Sequence, residues 1–542
     1  MAYPLQESLR HAVQEYPNAV PVVVAAVSAT MLYISWKAVQ RAIINRFTAL
    51  GDLENLGKPR SGRRLKGTTV IAGGSISGLL AARVASTHYE KVIVIESEQI
   101  VEDKPRTYVM QSLQLHTFLA FMIKALVKLY PDFTDQVRAG RGRVGYFIFP
   151  FWLGKYLRLD PETYDDVTCF VTRQSMENLI RRLTRERCAN VEIWYKASVT
   201  GFETDNTRHI VSTQVRKGDG AVVNLDTALL LECSGPAVAS RKWLSKNGFT
   251  PPVKKAYQPG VVYASAIFDM KKAWTINIDV IPTVGYLWGV RPAAGAARES
   301  GYVTRIEDNQ ILICAATWGG DEGLPRNVPE LPDYFDRLPG WPEHRQLIRL
   351  LCETFSDTPL LIARPSPCHQ IQWSSAVMPP NFAPIGDAVQ KLNAQYGQGC
   401  CQSAMCVTTL DACVRREKGT AVSNDFSARY IKLLMGRITY LWDSSRLTDY
   451  GWSLTEPAPG ESLKDGAFER YVQVRVIEAM SLDPKVTRHV YDGSAQACNH
   501  HLLEILNPRL LYWIIRLSLF GYPERGVPKY RLKPGASVKK QA

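Results

Sequence analysis

Two glycine-rich turns, one early and one late, carry the residue types that could do chemistry. The early turn is Gly73-Gly74-Ser75-Ile76-Ser77-Gly78. It follows a β-branched and apolar run at 68–72 and opens an Ala/Leu-rich stretch that reads as a helix to residue 85. Strand, tight turn and helix in that order make a phosphate cradle. Glycines let the backbone turn and approach a ligand, and the free N–H groups at a helix start attract an anion. A second buried-strand pattern at 91–96 (KVIVIE) ends in Glu96, 18 residues after Gly78. A carboxylate at about that spacing binds a ribose hydroxyl. Ser75 stands where the strict G-x-G-x-x-G has its middle glycine, so the turn alone also suits a mononucleotide-type βαβ unit. With strand, helix and acid in place, the stretch predicts dinucleotide binding.

The late turn is Gly386-Asp387-Ala388, followed by the glycine loop Asn393-Ala394-Gln395-Tyr396-Gly397-Gln398-Gly399-Cys400 and a helix to about 416. Between the two turns, Arg173 starts a helix whose Met176, Leu179, Ile180 and Leu183 recur at helical spacing. Taken singly, Gly386-Asp387 reads as a helix-capping turn and Arg173 as a surface ion pair.

The elements that must position these residues are those of an α/β protein. At 542 residues the chain has room for two or more domains. Residues 191–195 read as a strand, 208–232 as a hairpin meander ending in a buried strand, and 256–318 as an antiparallel sheet. The segment 320–360 is Pro-rich and then helical, and most of the chain after 416 is helical. Net charge is +14, but no zinc-finger, RNP-type or helix-turn-helix signature accompanies it, which argues against nucleic acid. The eleven cysteines are scattered without a C-x-x-C pair and read as reduced thiols, with no metal site.

Residues 19–36 carry no charge and reach the lower limit for a membrane-spanning helix, with Tyr33 and Trp36 at an interface. A signal peptide or a buried helix are the alternatives. Lys37, Arg41 and Arg46 follow it, which puts the body of the chain on the cytosolic side. Residues 48–66 read as a Gly-, Pro- and Arg-rich linker whose basic run suits anionic headgroups. The apolar stretch 510–520 is too short to span and either lies in the interface or caps the core.

The early turn, Arg173 and the late turn, in this order, resemble the FAD-dependent monooxygenases of the aromatic-hydroxylase type. The closer likeness is to the branch of squalene epoxidase and the polyether and polyene epoxidases, in which the G-G-S-I-x-G variant is habitual. The resemblance runs from about Gly67 to about Pro508. It implies that Gly73, Gly74, Ser75, Ile76 and Gly78 receive the FAD pyrophosphate, that Glu96 holds the adenosine ribose, and that Arg173 contacts FAD from its helix. It implies that Asp387 binds the ribityl chain or pyrophosphate, and that Gly397, Gln398, Gly399 and Cys400 sit by the flavin N1 and C2 carbonyl. Ala394 replaces the family's usual proline, which implies a looser loop, and Glu232-Cys233-Ser234-Gly235 is a shifted form of the family's acidic and glycine pair.

The implied fold is a Rossmann-like FAD-binding domain (67–145, 171–250 and 366–420), with an inserted antiparallel-sheet substrate domain (146–170 and 251–365). A membrane anchor with its linker (1–66) and a helical C-terminal region (421–542) flank them. The implied activity is insertion of one atom of O2 through a flavin C4a-hydroperoxide, most readily epoxidation of a polyene, terpenoid or meroterpenoid in a pocket formed by the inserted sheet. NADPH or a separate reductase is the electron source, and the membrane is endoplasmic reticulum or equivalent. An alkene needs no protein base; His116 is either a catalytic or a packed histidine, and Tyr396 either lines the substrate face or packs in the core. The alternatives are a flavin reductase or dehydrogenase acting on a prenyl substrate, and a non-redox membrane-tethered protein that kept the fold.

Overall fold

The computed structural model describes residues 19–101, 104–107, 109, 112–145, 151, 152, 154–157, 168–270, 287–292, 295, 297–495 and 507–524. Residues 1–18, parts of the expected substrate domain at 146–150, 158–167 and 271–286, and the tail beyond 524 lie outside the described residues.

The uncharged N-terminal stretch forms α1 (Ala19–Phe47). From Pro21 to Phe47 it has the length and apolarity to cross a membrane, and its apolar window is not buried at all. It runs on past Trp36 through Lys37, Arg41 and Arg46, because neither glycine nor proline interrupts it. The expected linker at 48–66 is packed instead. Ala49, Leu53 and Leu56 are buried, Asp52 pairs with Arg437, and the Arg60 guanidinium donates to the carbonyls of Arg63, Glu417 and Gly419. The Gly/Pro/Arg composition hides an apolar i, i+4 pair, Ala49 and Leu53, that forms a helical turn on the core.

β1 (Leu65–Ala72), α2 (Ile76–His88) and β2 (Tyr89–Ile95) form the βαβ unit. α3 (Ala120–Leu129) and α4 (Arg173–Arg187) precede β3 (Val191–Trp194). The meander holds β4 (Ala197–Thr204), β5 (Ile210–Lys217) and β6 (Val222–Asp226). Only β5 and β6 are anticipated by alternation; β4 shifts register at Gly201, which blurs its pattern. β7 (Leu229–Glu232) then returns to the first sheet. Its order is a short late strand (Phe382–Pro384), β7, β1, β2 and β3, every ladder parallel. Helices cover this sheet, so its strands read as continuous apolar runs.

The second large sheet contains β8 (Val262–Asp269), β9 (Leu287–Arg291), β10 (Glu299–Arg305) and β11 (Gln310–Thr317), antiparallel to one another where they pair. Leu361–Ala363 flanks it on one edge, and the hairpin Phe151–Trp152 with Lys155–Tyr156 on the other. α5 (Pro342–Thr354) packs on this sheet, burying Leu347, Ile348 and Leu351 with Phe268 and Ile313. β12, the late strand Phe382–Pro384, leads to α6 (Gly399–Arg415), α7 (Phe426–Asp449), α8 (Ala467–Leu482), α9 (Pro484–Ala495) and α10 (Pro508–Phe520).

α2 and α6 lie side by side and point the same way. Near their starts Ser77 Oγ meets Ser403 Oγ at 2.7 Å, and near their ends His88 Nε2 meets Asp411 Oδ1 at 2.8 Å. Asp411 also pairs with Arg415 at 2.8 Å, and both Asp411 and His88 are fully buried. Replacing Asp411 with leucine strands a buried histidine and an arginine, so Asp411→Leu is expected to cost about 3–5 kcal/mol. Thermal unfolding of the purified variant reads this as a clear drop in midpoint; an unchanged midpoint would show that the pair does not hold the helices together.

Candidate functional site

The loops that leave the parallel strands converge at one edge of the sheet. Past the end of β1, Gly73 N donates to Ile95 O at 2.9 Å. Gly73 has φ +114°, and a Cβ there would lie 2.3 Å from the Cys233 carbonyl, so no other residue fits. A Cβ on Gly78 would sit 1.8 Å from the Gly73 carbonyl, so α2 presses its first turn onto the glycine bend. Gly74 N donates to Glu96 Oε2 at 3.0 Å, and Glu96 Oε1 accepts from Glu98 N, also at 3.0 Å.

Ser75 occupies the N-cap of α2 but its side chain does not cap it. Its Oγ donates to Glu177 Oε2 at 2.5 Å and accepts from Arg173 Nη2 at 3.1 Å. The first-turn N–H groups of α2, which by helix geometry lack intrahelical acceptors, are therefore left without that cap. Beside them Arg173 Nε is buried without a hydrogen-bond partner. A helix start plus an unsatisfied guanidinium N–H is a cradle for an anionic group.

The late turn reaches the same place. A Cβ on Gly386 would lie 2.3 Å from Ser77 Oγ, inside the first turn of α2. Burial raises the Asp387 carboxyl above the ordinary aspartate range, while Lys391 and Arg173 pull it the other way. α6 starts at Gly399, where an added Cβ would meet nothing within 4 Å. Cys400 beside it is buried and burial pushes its thiol up, which leaves it unreactive. The loop expected to be loose for want of a proline is pinned. Asn393 Oδ1 accepts Gln395 N at 3.1 Å, and Gln395 Oε1 accepts Tyr302 Oη at 2.6 Å from the second sheet. Gly73 to Gly78, Arg173, Asp387 and the Gly397–Gln398–Gly399 loop thus share one cleft, with the starts of α2 and α6 side by side.

The chain matches no family model. Protein Rv3254 of Mycobacterium tuberculosis is 24% identical over 425 residues, covering 73% of this chain and 83% of that protein. Among solved structures, pqsL, a probable FAD-dependent monooxygenase from Pseudomonas aeruginosa, aligns with a TM-score of 0.52 at 15% identity, over 71% of this chain and 94% of its own. A flavoprotein/dehydrogenase from Cytophaga hutchinsonii aligns with a TM-score of 0.50 at 13% identity, over 84% of this chain and 98% of its own. The fold is that of FAD-dependent monooxygenases.

Several residues of the cleft were not anticipated. Arg106 is almost buried and bridges three carboxylates, donating to Glu96, Glu98 and Glu177 at 2.8, 2.9 and 2.8 Å. Arg181 also pairs with Glu177. Burial works against the Glu177 anion, yet Arg106, Arg173, Arg181 and Ser75 together hold its pKa below the ordinary range. The Glu96 carboxylate expected to meet a ribose is therefore already oriented by a guanidinium and two backbone amides. His116 Nδ1 lies 2.9 Å from the Gln114 carbonyl, and its ring stacks near Phe118. Burial and the Arg173 charge lower its pKa to about 3, so it is neutral at physiological pH.

A cavity of about 490 Å³ opens beyond the glycine loop. Tyr396 of the loop lines it, as do Trp152 and Pro292 of the second sheet, but most of its wall is chain from Thr448 to Val474. The pocket expected from the inserted sheet is thus built mainly by the C-terminal region, whose aromatics Tyr450, Trp452 and Tyr471 face it. Behind that wall Asp449, fully buried, accepts four hydrogen bonds from neutral donors. Tyr257 Oη (2.7 Å) and Asn393 Nδ2 (2.8 Å) meet Oδ2; Tyr396 Oη (2.7 Å) and Trp318 Nε1 (3.1 Å) meet Oδ1. Burial raises its pKa, and those four bonds oppose the rise. Trp318 in turn stacks on Trp452, with ring centres 4.4 Å apart.

Two outcomes follow from this geometry. Arg106→Gln leaves three glutamates crowded together and is expected to cost about 3–5 kcal/mol at neutral pH. Glu98 and Glu177 have folded-state pKa values below the ordinary range, so their stabilisation is present above the unfolded value and lost below it. The deficit of the variant against wild type, followed by chemical denaturation, should therefore be full at pH 7 and close only as pH falls below about 4.3, through the lower folded values. Asp449→Ala strands four donors, each costing about 1–3 kcal/mol; it should shift Trp318 fluorescence and loosen the 393–399 loop, read by hydrogen exchange. Unchanged exchange in that loop would show that Asp449 does not anchor it.

Proposed function

We propose that this chain is an FAD-dependent monooxygenase that places one atom of O2 on an apolar substrate, an alkene of a polyene, terpenoid or meroterpenoid, at a membrane surface. The observation that carries the reading is the cleft in which two parallel helix starts and the unpartnered Arg173 Nε meet, next to an aromatic-walled cavity. Two like-signed helix ends repel unless a negative group lies between them, and a dinucleotide flavin brings both a pyrophosphate and a ring that turns anionic on reduction.

In this reading the turn Gly73, Gly74, Ser75, Ile76 and Gly78 with Arg173 takes the pyrophosphate, and Glu96 the ribose. Asp387 takes a hydroxyl of the ribityl chain directly or a pyrophosphate oxygen through water. Gly397, Gln398, Gly399 and Cys400 present the start of α6 to the negative side of the ring. Bound FAD supplies the reaction with O2 and the oxygen transfer. The chain's own share is placement: Tyr396, Trp152 and Trp452 hold the double bond and keep water away. Addition of oxygen to an alkene removes no substrate proton, so a neutral, packed His116 suits the chemistry as well as a base would. A volume of about 490 Å³ lies within the range of small-molecule sites. α1 is the anchor, in the endoplasmic reticulum or an equivalent membrane, with the body in the cytosol. NADPH, directly or through a separate reductase, provides the electrons.

The likeness to a flavoprotein/dehydrogenase keeps one rival in view, a reductase of a prenyl substrate that consumes no O2. Purified in detergent, the chain should show an oxidised-flavin spectrum, oxidise NADPH faster with a polyene present when its electron partner is supplied, and carry isotopic oxygen from labelled O2 into the product. Conversion without label favours the reductase; a colourless chain that takes up no FAD ends the reading. Arg173→Ala and Asp387→Ala should each weaken FAD binding by roughly ten- to a hundredfold, the worth of one charge-assisted contact.

A further inference from the structure

We propose that α10 docks on a lipid bilayer and sets the mouth of the cavity against it. α10 has two faces. Leu510 and Leu517, two turns apart, are buried with Val476, Ile477 and Met480 of α8. Leu511, Tyr512, Ile515, Leu519 and Phe520 are exposed, the last two at 71% and 79%. Positions 511, 512, 515 and 519 share one face at helical spacing. The helix contains no acid, and beside its apolar stripe stand Arg516 and Arg509, the latter paired with Asp483, so the stripe has basic neighbours, as in a helix that lies among lipid headgroups. Its 13 residues reach only roughly 20 Å, less than the ~30 Å hydrocarbon core, so it lies along the surface.

A bilayer rather than a second protein covers this face because the chain brings itself to one. α1 is unburied and long enough to cross a membrane, and a net charge of +14 complements an anionic leaflet. α10 is also tied to the cavity. Tyr522, just past its end, has its ring 3.9 Å from Lys155 Nζ and its hydroxyl 2.9 Å from Ser481 Oγ of α8. Lys155 pairs with Trp152, which lines the cavity. α8 lines it as well, through Arg470, Tyr471 and Val474, and exposes Phe468 in its first turn. A bilayer against α10 therefore lies beside the cavity, and a lipid-dissolved substrate enters without crossing water. That delivery rests on the monooxygenase reading; the docking rests only on the reading of α1 as the anchor.

The test uses the full chain in vesicles of phosphatidylcholine and phosphatidylserine that carry a nitroxide-labelled lipid. The ten described cysteines are buried, so Cys498→Ser leaves a background for one bimane label at Leu519→Cys. Labels at Val27→Cys in α1 and Val222→Cys on the meander are the references, both exposed positions. The expected result is loss of emission at 519 as large as at 27, with emission at 222 retained; Tyr512→Cys repeats it near the other end of the stripe. Emission at 512 and 519 that follows 222 overturns the docking, including the case where a protein partner covers the face. No flavin signal is read, so failure of the redox reading leaves this result intact.

Discussion

One hydrogen bond beyond each of four strands of the parallel sheet, β1, β2, β7 and β12, decides where the site forms. Gly73 N continues the ladder to Ile95 O, Cys233 N to Ala72 O, Ile385 N to Glu232 O and Glu96 N to Trp194 O, all within 2.8–2.9 Å. Each chain then turns away at the same edge of the sheet. Parallel register makes those departures coincide, so a glycine bend, a carboxylate and an aspartate turn meet although hundreds of residues separate them. A crevice beyond the carboxyl ends of the strands is where such sheets take ligands. The adjacent starts of α2 and α6 are a consequence, since each helix follows a strand or loop leaving that edge.

Buried negative charge is handled in two ways around this cleft. Glu96, Glu98 and Glu177 share Arg106, with Arg181 added on Glu177. Charge meets charge, and the carboxylates of Glu98 and Glu177 are held ionised. Asp449 meets only neutral donors, two tyrosines, an asparagine and a tryptophan. The first arrangement makes a charged, hydrogen-bonded floor beneath the early glycine turn. The second binds the glycine loop, the second sheet and the end of α7 to one atom pair, at the expense of a raised pKa. The contrast follows from location: arginines come from the rim near the parallel sheet, whereas Asp449 sits among aromatic side chains.

What could be read in advance was local. Glycine bends after β-branched runs, an acid at the right spacing and the helical rhythm behind Arg173 are written in consecutive residues, and the chain folds there as they imply. Arg106 and Asp449 were not legible, because their partners come from positions 96, 98 and 177, and from 257, 318, 393 and 396. No window of sequence contains those sets. The packed segment after α1 was missed for a different reason: its glycine and arginine content masks the three aliphatic residues that anchor it. The wall of the cavity was assigned to the inserted sheet because that sheet is rich in apolar residues, yet those residues mostly face α5 and the sheet's own core.

The C-terminal region is therefore a part of the site rather than an appendage. It buries Val476, Ile477 and Met480 against Leu312 and Cys314 of the second sheet, and it sends Trp452 onto Trp318 and Asp449 onto Tyr396. The shape of the cavity is thus set largely by residues 448–474, while the cleft is set by the parallel sheet. Two such surfaces, built from different parts of the chain, can change independently. A chain could keep the early glycine turn, Arg173 and the late aspartate and reshape the cavity by altering only the helices after Asp449. Tyr396 is the exception. It belongs to the loop that would face the ring, it lines the cavity, and its hydroxyl is fixed from the C-terminal side. Any shift of that wall moves Tyr396 with it, so the cavity wall and the glycine loop are mechanically coupled through one hydrogen bond.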